Sequence, residues 1–533
     1  MAGVGIGWCL SAVLATLLLR KTPFTTVGNW MTYSLRAAAL LLLCTPSSLW
    51  AQDPSRTVSG AAALITEALI RRHVAVIADD SMLGRDTPSR GLEATASYIV
   101  ANFRRLGIAP GIEGYVQRYA VKTQRVNQGA SSIRFRSGTD VAEARLDSDV
   151  LLLGAPRAAR GVTGAAVLLG GNLDSAGVLD LDMRNRVVLL VLDLERPQAS
   201  LGQVVGQLLD AHPLALVVVA NRDTGVLARI VARQRGEQTG VDFADEQPLL
   251  LEVNDRAVAQ LLTRSGVNLS EVRSSTRTVT TSLPALEVTV DIVLETVREA
   301  SAPNVVGVVR GNDPALRDEY IVFSAHMDHV GVNASSAADS IWNGADDNAS
   351  GTAGILALAE AFSRAPTRRS LVFLAVSGEE KGLWGSDYFT RNSPIPLERI
   401  VAGINLDMIG RNWKDTIAVI GMEHSDLGET LMRVAASRPE LRMQPIGDIW
   451  PQEQFYFRSD HYNFARRGVP ILFFFNGTHA DYHQPSDSPD KIDAEKAARV
   501  ARLVYYLGEA IGNADARPRW NPESYRRIVG GGR

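Results

Sequence analysis

The sequence predicts an α/β protein: a mixed sheet with helices on both faces and a β-rich module inserted near its start. Two observations carry that expectation. From about residue 285, short apolar β-branched runs alternate with segments of helical period. Between 141 and 275 the texture changes to closely spaced β-branched runs around one helical stretch. A third observation says where chemistry should sit. Acidic and histidine residues recur at the ends of the apolar runs in the second half, and active sites of open α/β sheets collect at strand ends.

The elements are expected in this order. Residues 1–51 read as a targeting region. Arg36, the apolar run Ala37 to Leu43 and the small residue Ala51 form the export-signal pattern, with cleavage expected after Ala51. An upstream apolar stretch, Val4 to Leu19, makes Met31 the better candidate for the true start. The mature protein is then expected in the periplasm or outside the cell, with no membrane attachment. Cys9 and Cys44 are the only cysteines, so removing this region leaves no thiol ligand and no disulfide.

Residues 52–140 are read as the first part of the main domain. Spaced apolar residues predict helices over 61–77 and 91–106, the second stopped by Gly107. Alternation over 115–137 predicts strands. Residues 141–275 are the inserted module, with His212 but no cluster of metal-ligand residues. Residues 276–515 complete the main domain. Strands are expected at 320–325, 370–376, 401–406 and 471–475, a helix over 351–362 with Ser350 as its N-cap, and a last helix over 494–511. The tail, 516–533, is rich in Arg, Pro and Gly and is expected to fray.

Bulk composition narrows the function. Of 533 residues, 46% are hydrophobic and 21% charged, enough apolar content for a packed core throughout. The net charge of -3 gives no basic footprint for nucleic acid.

The motifs carry the chemistry. His326-Met327-Asp328 follows a strand, and a metal-bound histidine usually gives its other N–H to a carboxylate such as Asp328. His329 has no comparable support and reads as a bystander. Asp346-Asp347-Asn348 opens a helix. Adjacent acids repel unless at least one is neutralised, which a metal does well. In Glu379-Glu380 the two side chains cannot point the same way, so one can bind metal while the other faces a water. Asp407 ends an apolar strand, where an unpaired buried acid is costly. Tyr482-His483 lies in a loop. Ser459-Asp460-His461 is adequately explained as a helix cap. Each string alone has a bland reading as a turn, a cap or a solvated pair. Five of them in one domain, at the expected structural positions, do not.

The set resembles the co-catalytic zinc aminopeptidases and their glutamate carboxypeptidase relatives. The matched pattern is His-x-Asp, Gly-Ala-x-Asp-Asn-x-Ser-Gly, Glu-Glu, Asn-x-Asp-Met and a late Tyr-His. The resemblance covers about 57–140 and 276–515, and it implies the zinc-exopeptidase fold. The inserted 141–275 resembles a protease-associated module. By this resemblance His326, Asp347, Glu380, Asp407 and His483 are the metal ligands, with Asp347 bridging two ions. Glu379 is the general base, Asp328 supports His326, and Tyr482 helps stabilise the tetrahedral intermediate. The peptide between Asp347 and Asn348 is expected to be cis.

The implied function is an exported exopeptidase with two Zn²⁺ per chain, taking N-terminal residues from peptide substrates. Oxygen and imidazole ligands leave Mn²⁺ or Co²⁺ open. Two rivals share the fold: a carboxypeptidase of the glutamate carboxypeptidase type, which needs a basic pocket, and a glutaminyl cyclase, which needs fewer ligands. A third, of another class, is a receptor-like binding protein. The presence of Glu379 speaks against it, because a base has no structural task there.

Overall fold

The computed structural model describes residues 57–153, 158–173, 183–196, 201–234, 236–243, 249–333 and 339–530. The targeting region, with Met31 and Ala51, lies outside them. Among the described residues no helix is long and apolar enough to cross a membrane.

In chain order the strands are β1 (Val116–Val126), β2 (Ser132–Ser137), β3 (Asp140–Arg145), β4 (Val150–Leu152), β5 (Ala159–Gly171) and β6 (Arg186–Leu192). Next come β7 (Ala215–Ala220), β8 (Gln238–Gly240), β9 (Leu249–Asn254), β10 (Thr278–Ile292), β11 (Leu294–Val309) and β12 (Tyr320–His326). The last are β13 (Ser370–Val376), β14 (Ile400–Leu406), β15 (Thr416–Ile420), β16 (Gln444–Ile446) and β17 (Ile471–Phe475).

They form two sheets. The first runs β16-β15-β17-β14-β12-β13-β11-β1-β8, and a two-residue strand, Ala109–Pro110, also pairs with β11. Strands β13, β12, β14 and β17 are parallel at its centre. Parallel strands need both faces covered, and alternating residues of β12 show that they are. Ile321, Phe323 and Ala325 face a core shared with helices Arg90–Leu106, Gly351–Arg364 and Ala494–Asn513. Val322 faces the opposite core, with Phe389, Phe464 and Ile528. Phe323 stacks on Phe373 with centroids 5.5 Å apart. A Cβ at Gly508 would sit 2.6 Å from the Phe323 ring, so only glycine lets helix Ala494–Asn513 approach this closely.

The second sheet runs β3-β2-β10-β5-β6-β7-β9-β4. Its strands lie between residues 132 and 292, on both sides of the expected limits 141 and 275. Alternation over 115–137 marks strands, but alternation says only that one face is buried, not in which sheet. Strands β2 and β10 pair antiparallel with each other, and β10 pairs with β5. The unit is also less purely β than expected. Strands β5, β6, β7 and β9 are parallel, and Val204 and Leu208 of helix Leu201–Asp210 cover one face.

The tail differs from expectation as well. Helix Pro522–Ile528 docks rather than frays. Trp520 Nε1 donates to the Gly468 carbonyl at 2.9 Å, and Ile528 is buried.

Candidate metal centre

Three adjacent parallel strands deliver the site at their C-terminal ends: β12 carries His326, β13 leads to Glu379 and Glu380, and β14 leads to Asp407. Register places the groups side by side. Ser324 pairs with Asn405, and two residues on His326 Nε2 lies 3.2 Å from Asp407 Oδ1.

Asp347 comes from the irregular turn Ala345–Ser350 ahead of helix Gly351–Arg364. The Asp347–Asn348 peptide is cis, as expected. Asn348 ties this turn to β14: its Nδ2 donates to the Leu406 carbonyl, and its Oδ1 accepts from Met408 N and Gly351 N. The expected Ser350 cap is not made. Ser350 already has helical backbone, and its hydroxyl donates to the Asp346 carbonyl and accepts from Ile409 N. The side chain capping the helix is that of Asn348. Asp346 points away from Asp347. It accepts from Gly410 N at 2.7 Å and Asn476 Nδ2 at 3.1 Å.

Asp347 reaches in two directions. Its Oδ1 lies 3.3 Å from His326 Nε2, and its Oδ2 lies 3.1 Å from His483 Nε2. His483 Nε2 is also 3.0 Å from Glu380 Oε2. It makes no angularly acceptable hydrogen bond to either carboxylate, so the atoms converge on a point rather than pair. Two groups result: His329, Asp347, Glu380 and His483, and beside them His326, Glu379 and Asp407. Four carboxylates and three imidazoles in buried surroundings fit hard or borderline divalent cations.

The electrostatics agree. Burial opposes charge on His326, yet Asp407 and Glu379 hold its pKa well above the ordinary value. Burial likewise opposes charge on His483, but Asp347 and Glu380 raise it to about 10. Burial raises Glu379 well above the carboxylate range, and the Glu380 and Asp407 charges add to it. This concentration of anions draws positive charge, which divalent cations would supply.

Asp328 is buried behind His326. His326 Nδ1 lies 3.3 Å from the Asp328 carbonyl and 3.7 Å from its carboxylate. The carboxylate accepts from the Thr87 hydroxyl at 3.0 Å, and the Glu379 amide lies 3.4 Å from it. Burial lifts the Asp328 pKa to about 6. Tyr482 stacks on His483 with ring centroids 3.9 Å apart. A cleft of about 380 Å³ opens over His326, Asp347, Glu379 and Asp407, walled by Met408, Phe455, Phe473, Phe475, Arg458 and Tyr482.

Two readings from sequence are corrected here. His329 is no bystander: it is buried, with Nδ1 2.9 Å from Glu380 Oε1 and 3.7 Å from Asp347 Oδ2. Nor does Ser459-Asp460-His461 cap a helix, since no side-chain cap is made there. The Ser459 hydroxyl donates to Asp407 Oδ2 at 2.8 Å, while burial raises Asp460 to about 7. The sequence also gave no hint of Arg85. It is fully buried, and its guanidinium donates to the carbonyls of Met327 and Gly344 at 2.9 Å, which flank the site.

Comparison with known proteins follows this geometry. Residues 304–508 match Peptidase family M28. Aminopeptidase YwaD of Bacillus subtilis is 25% identical over 218 residues, 38% of this chain and 43% of that protein. A probable leucine aminopeptidase of Trichophyton verrucosum is 30% identical over 208 residues, 37% of this chain and 55% of that protein. The chain thus spans about half the length of the curated relatives it matches. Among solved structures, an aminopeptidase from Aneurinibacillus sp. strain AM-1 covers 87% of this chain and 100% of its own, at 19% identity and a TM-score of 0.47. Through residues 304–508, the stretch that runs from before His326 to beyond His483, the chain is similar to Peptidase family M28.

Proposed function

We propose that this chain is a dinuclear zinc aminopeptidase. One observation carries the reading: Asp347 presents one oxygen to His326 and the other to His483, as a carboxylate bridging two cations would. His326, Asp347 and Asp407 would hold one ion, and Asp347, Glu380 and His483 the other. When bound, such ions acidify a water and polarise the scissile carbonyl.

The chain's own residues supply the rest. Glu379 takes the water's proton and returns it to the leaving amine. Its buried carboxylate is raised toward the range a base needs. Asp328 orients His326, and His329 holds Glu380 through Nδ1. Tyr482, at the cleft wall, would donate to the oxyanion. Apolar walls from Met408, Phe455, Phe473 and Phe475 suit the side chain of the residue being released.

The inserted unit, expected at 141–275, is assigned in the same proposal to a protease-associated role, and residues 1–51 to export. N-terminal sequencing of secreted material should begin after Ala51. A start upstream of Met31 would overturn that part.

The test of the activity is a panel of peptides and aminoacyl anilides with free and blocked N-termini, with product masses recorded. Release of single residues from free N-termini only, with two zinc ions per chain by elemental analysis, is the expected result. Cleavage from the C-terminus, cyclisation of N-terminal glutamine, or one ion per chain would each overturn it.

A further inference from the structure

A segment of the inserted unit leaves its own sheet and returns to the first. Strand β8 pairs antiparallel with β1, Gly240 opposite Lys122 and Gln238 opposite Gln124. The hydroxyls of Thr239 and Thr123 lie 3.1 Å apart, and Asp242 meets Lys122 in an ion pair. Phe243 follows. Its ring packs edge-on to Tyr119 with centroids 5.7 Å apart, and against Tyr388 at 5.0 Å. Tyr119 and Tyr388 complete the triangle at 5.6 Å.

Both tyrosines brace the turn that presents Glu379. The Tyr119 hydroxyl lies 3.0 Å from the carbonyl and from the hydroxyl of Ser377. The Ser377 hydroxyl gives its own proton to the Pro303 carbonyl at 2.7 Å. Tyr119 is therefore the donor, since each hydroxyl has one proton. At Gly378, φ is +73°, and a Cβ would lie 2.6 Å from the Tyr119 hydroxyl. The tyrosine thus fills the space a side chain would take. Tyr388 acts from the other side, on helix Trp384–Arg391. The first amides of that helix close the turn: Trp384 N donates to Gly378 O at 2.9 Å and Gly385 N to Ser377 O at 2.8 Å.

We propose that Phe243 is a positioning residue for Glu379, acting through Tyr119 and Tyr388, so that the inserted unit sets the geometry of the base from outside the metal-site domain. The proposal rests on the assignment of Glu379 as base. The physical link is packing. Without the Phe243 ring, both tyrosines lose the surface that fixes their tilt, and the Tyr119 hydroxyl can withdraw from the Ser377–Gly378 turn. Glu379 sits one residue beyond, and a small displacement of a reacting group is costly.

The experiment uses the full-length, zinc-loaded protein and two readouts. Phe243→Ala should speed hydrogen exchange at the Trp384 and Gly385 amides while leaving the helix Ala494–Asn513 unchanged. On an aminoacyl anilide it should lower kcat by about 10-fold or more, by misplacement of the base, with KM and zinc content preserved. Phe243→Leu, which refills the gap, should restore most of both. Unchanged exchange at these two amides, or unchanged kcat in an active enzyme, overturns the proposal. So does exchange that rises everywhere, which would mark Phe243 as a general stabiliser. If the parent protein cleaves no anilide or peptide, the peptidase reading fails, and the exchange data alone decide whether the brace exists.

Discussion

The two sheets place acids in the same kind of position and treat them oppositely. In the second sheet Asp193 follows β6, Asn221 and Arg222 follow β7, and Asp255 follows β9. Each acid there has a partner from the protein. Asn221 Nδ2 donates to Asp193 at 2.9 Å, Arg222 pairs with Glu252 at 2.7 Å, and Arg273 pairs with Asp255 at 2.8 Å. In the first sheet Asp347, Glu380 and Asp407 lie against imidazoles, Glu379 clusters with His326 and Asp407, and Asp407 also accepts from the Ser459 hydroxyl. A carboxylate with an arginine is a finished structural pair. Buried carboxylates that share histidines still call for positive charge. The difference teaches that strand-end acids mark a metal site only where the fold withholds a cationic side chain.

The comparison can be broken most sharply at Asp347. Asp347→Ala should abolish hydrolysis and reduce metal content below two ions, because it removes the one group that reaches both clusters. Chelator treatment of the parent should do the same, reversibly on adding zinc. Retention of both ions by the variant, measured by elemental analysis, would count against a bridging role.

Glu379→Gln comes next. It should keep both ions and the fold while kcat falls by about 10²–10⁴-fold, the usual contribution of a general base. Glu380→Gln should instead lose metal as well as rate. Opposite metal contents from the two variants would reverse their roles.

Acid should destabilise the folded chain through two buried histidines. His73 and His461 are both buried, and burial lowers each to about 3 from 6.5. The folded state therefore binds fewer protons than the unfolded one between these values. Stability is fully present above about 6.5 and is lost as pH falls toward 3. By pH 5 each histidine should cost about 2 kcal/mol. Thermal melting across pH 7 to 5 measures the slope, and His461→Phe should remove about half of it. An unchanged slope would contradict this.

The smallest expected effect lies in the second sheet. Glu252→Gln breaks the pair with Arg222 and should cost about 1–3 kcal/mol of stability. Turnover should not change. Loss of turnover at full stability would mean that these acids are not merely structural.

Much of this was legible in the sequence for a physical reason. Strands β12, β13 and β14 are largely apolar runs, and each ends at or just before one of the clustered acids or histidines, so local pattern located the elements and the segments that converge. The His-x-Asp, Asp-Asn and Glu-Glu strings kept their spacing because each lies on one short segment. What the sequence could not yield depends on which distant segments meet. His329 became part of the site only because Glu380, 51 positions away, folds onto its Nδ1. Thr87 reaches Asp328 across 241 positions, and Arg85 reaches Met327 across 242. Phe243 lies in a region with no ligand motif, yet its ring packs against Tyr119. The limits 132–292 were likewise decided by strand partners, because period-two alternation reports a buried face and not the sheet that buries it. By itself the sequence determined the elements and the candidate ligand strings. The tertiary structure alone decided which acids went without a cationic partner, because charge compensation is a property of contacts and not of spacing.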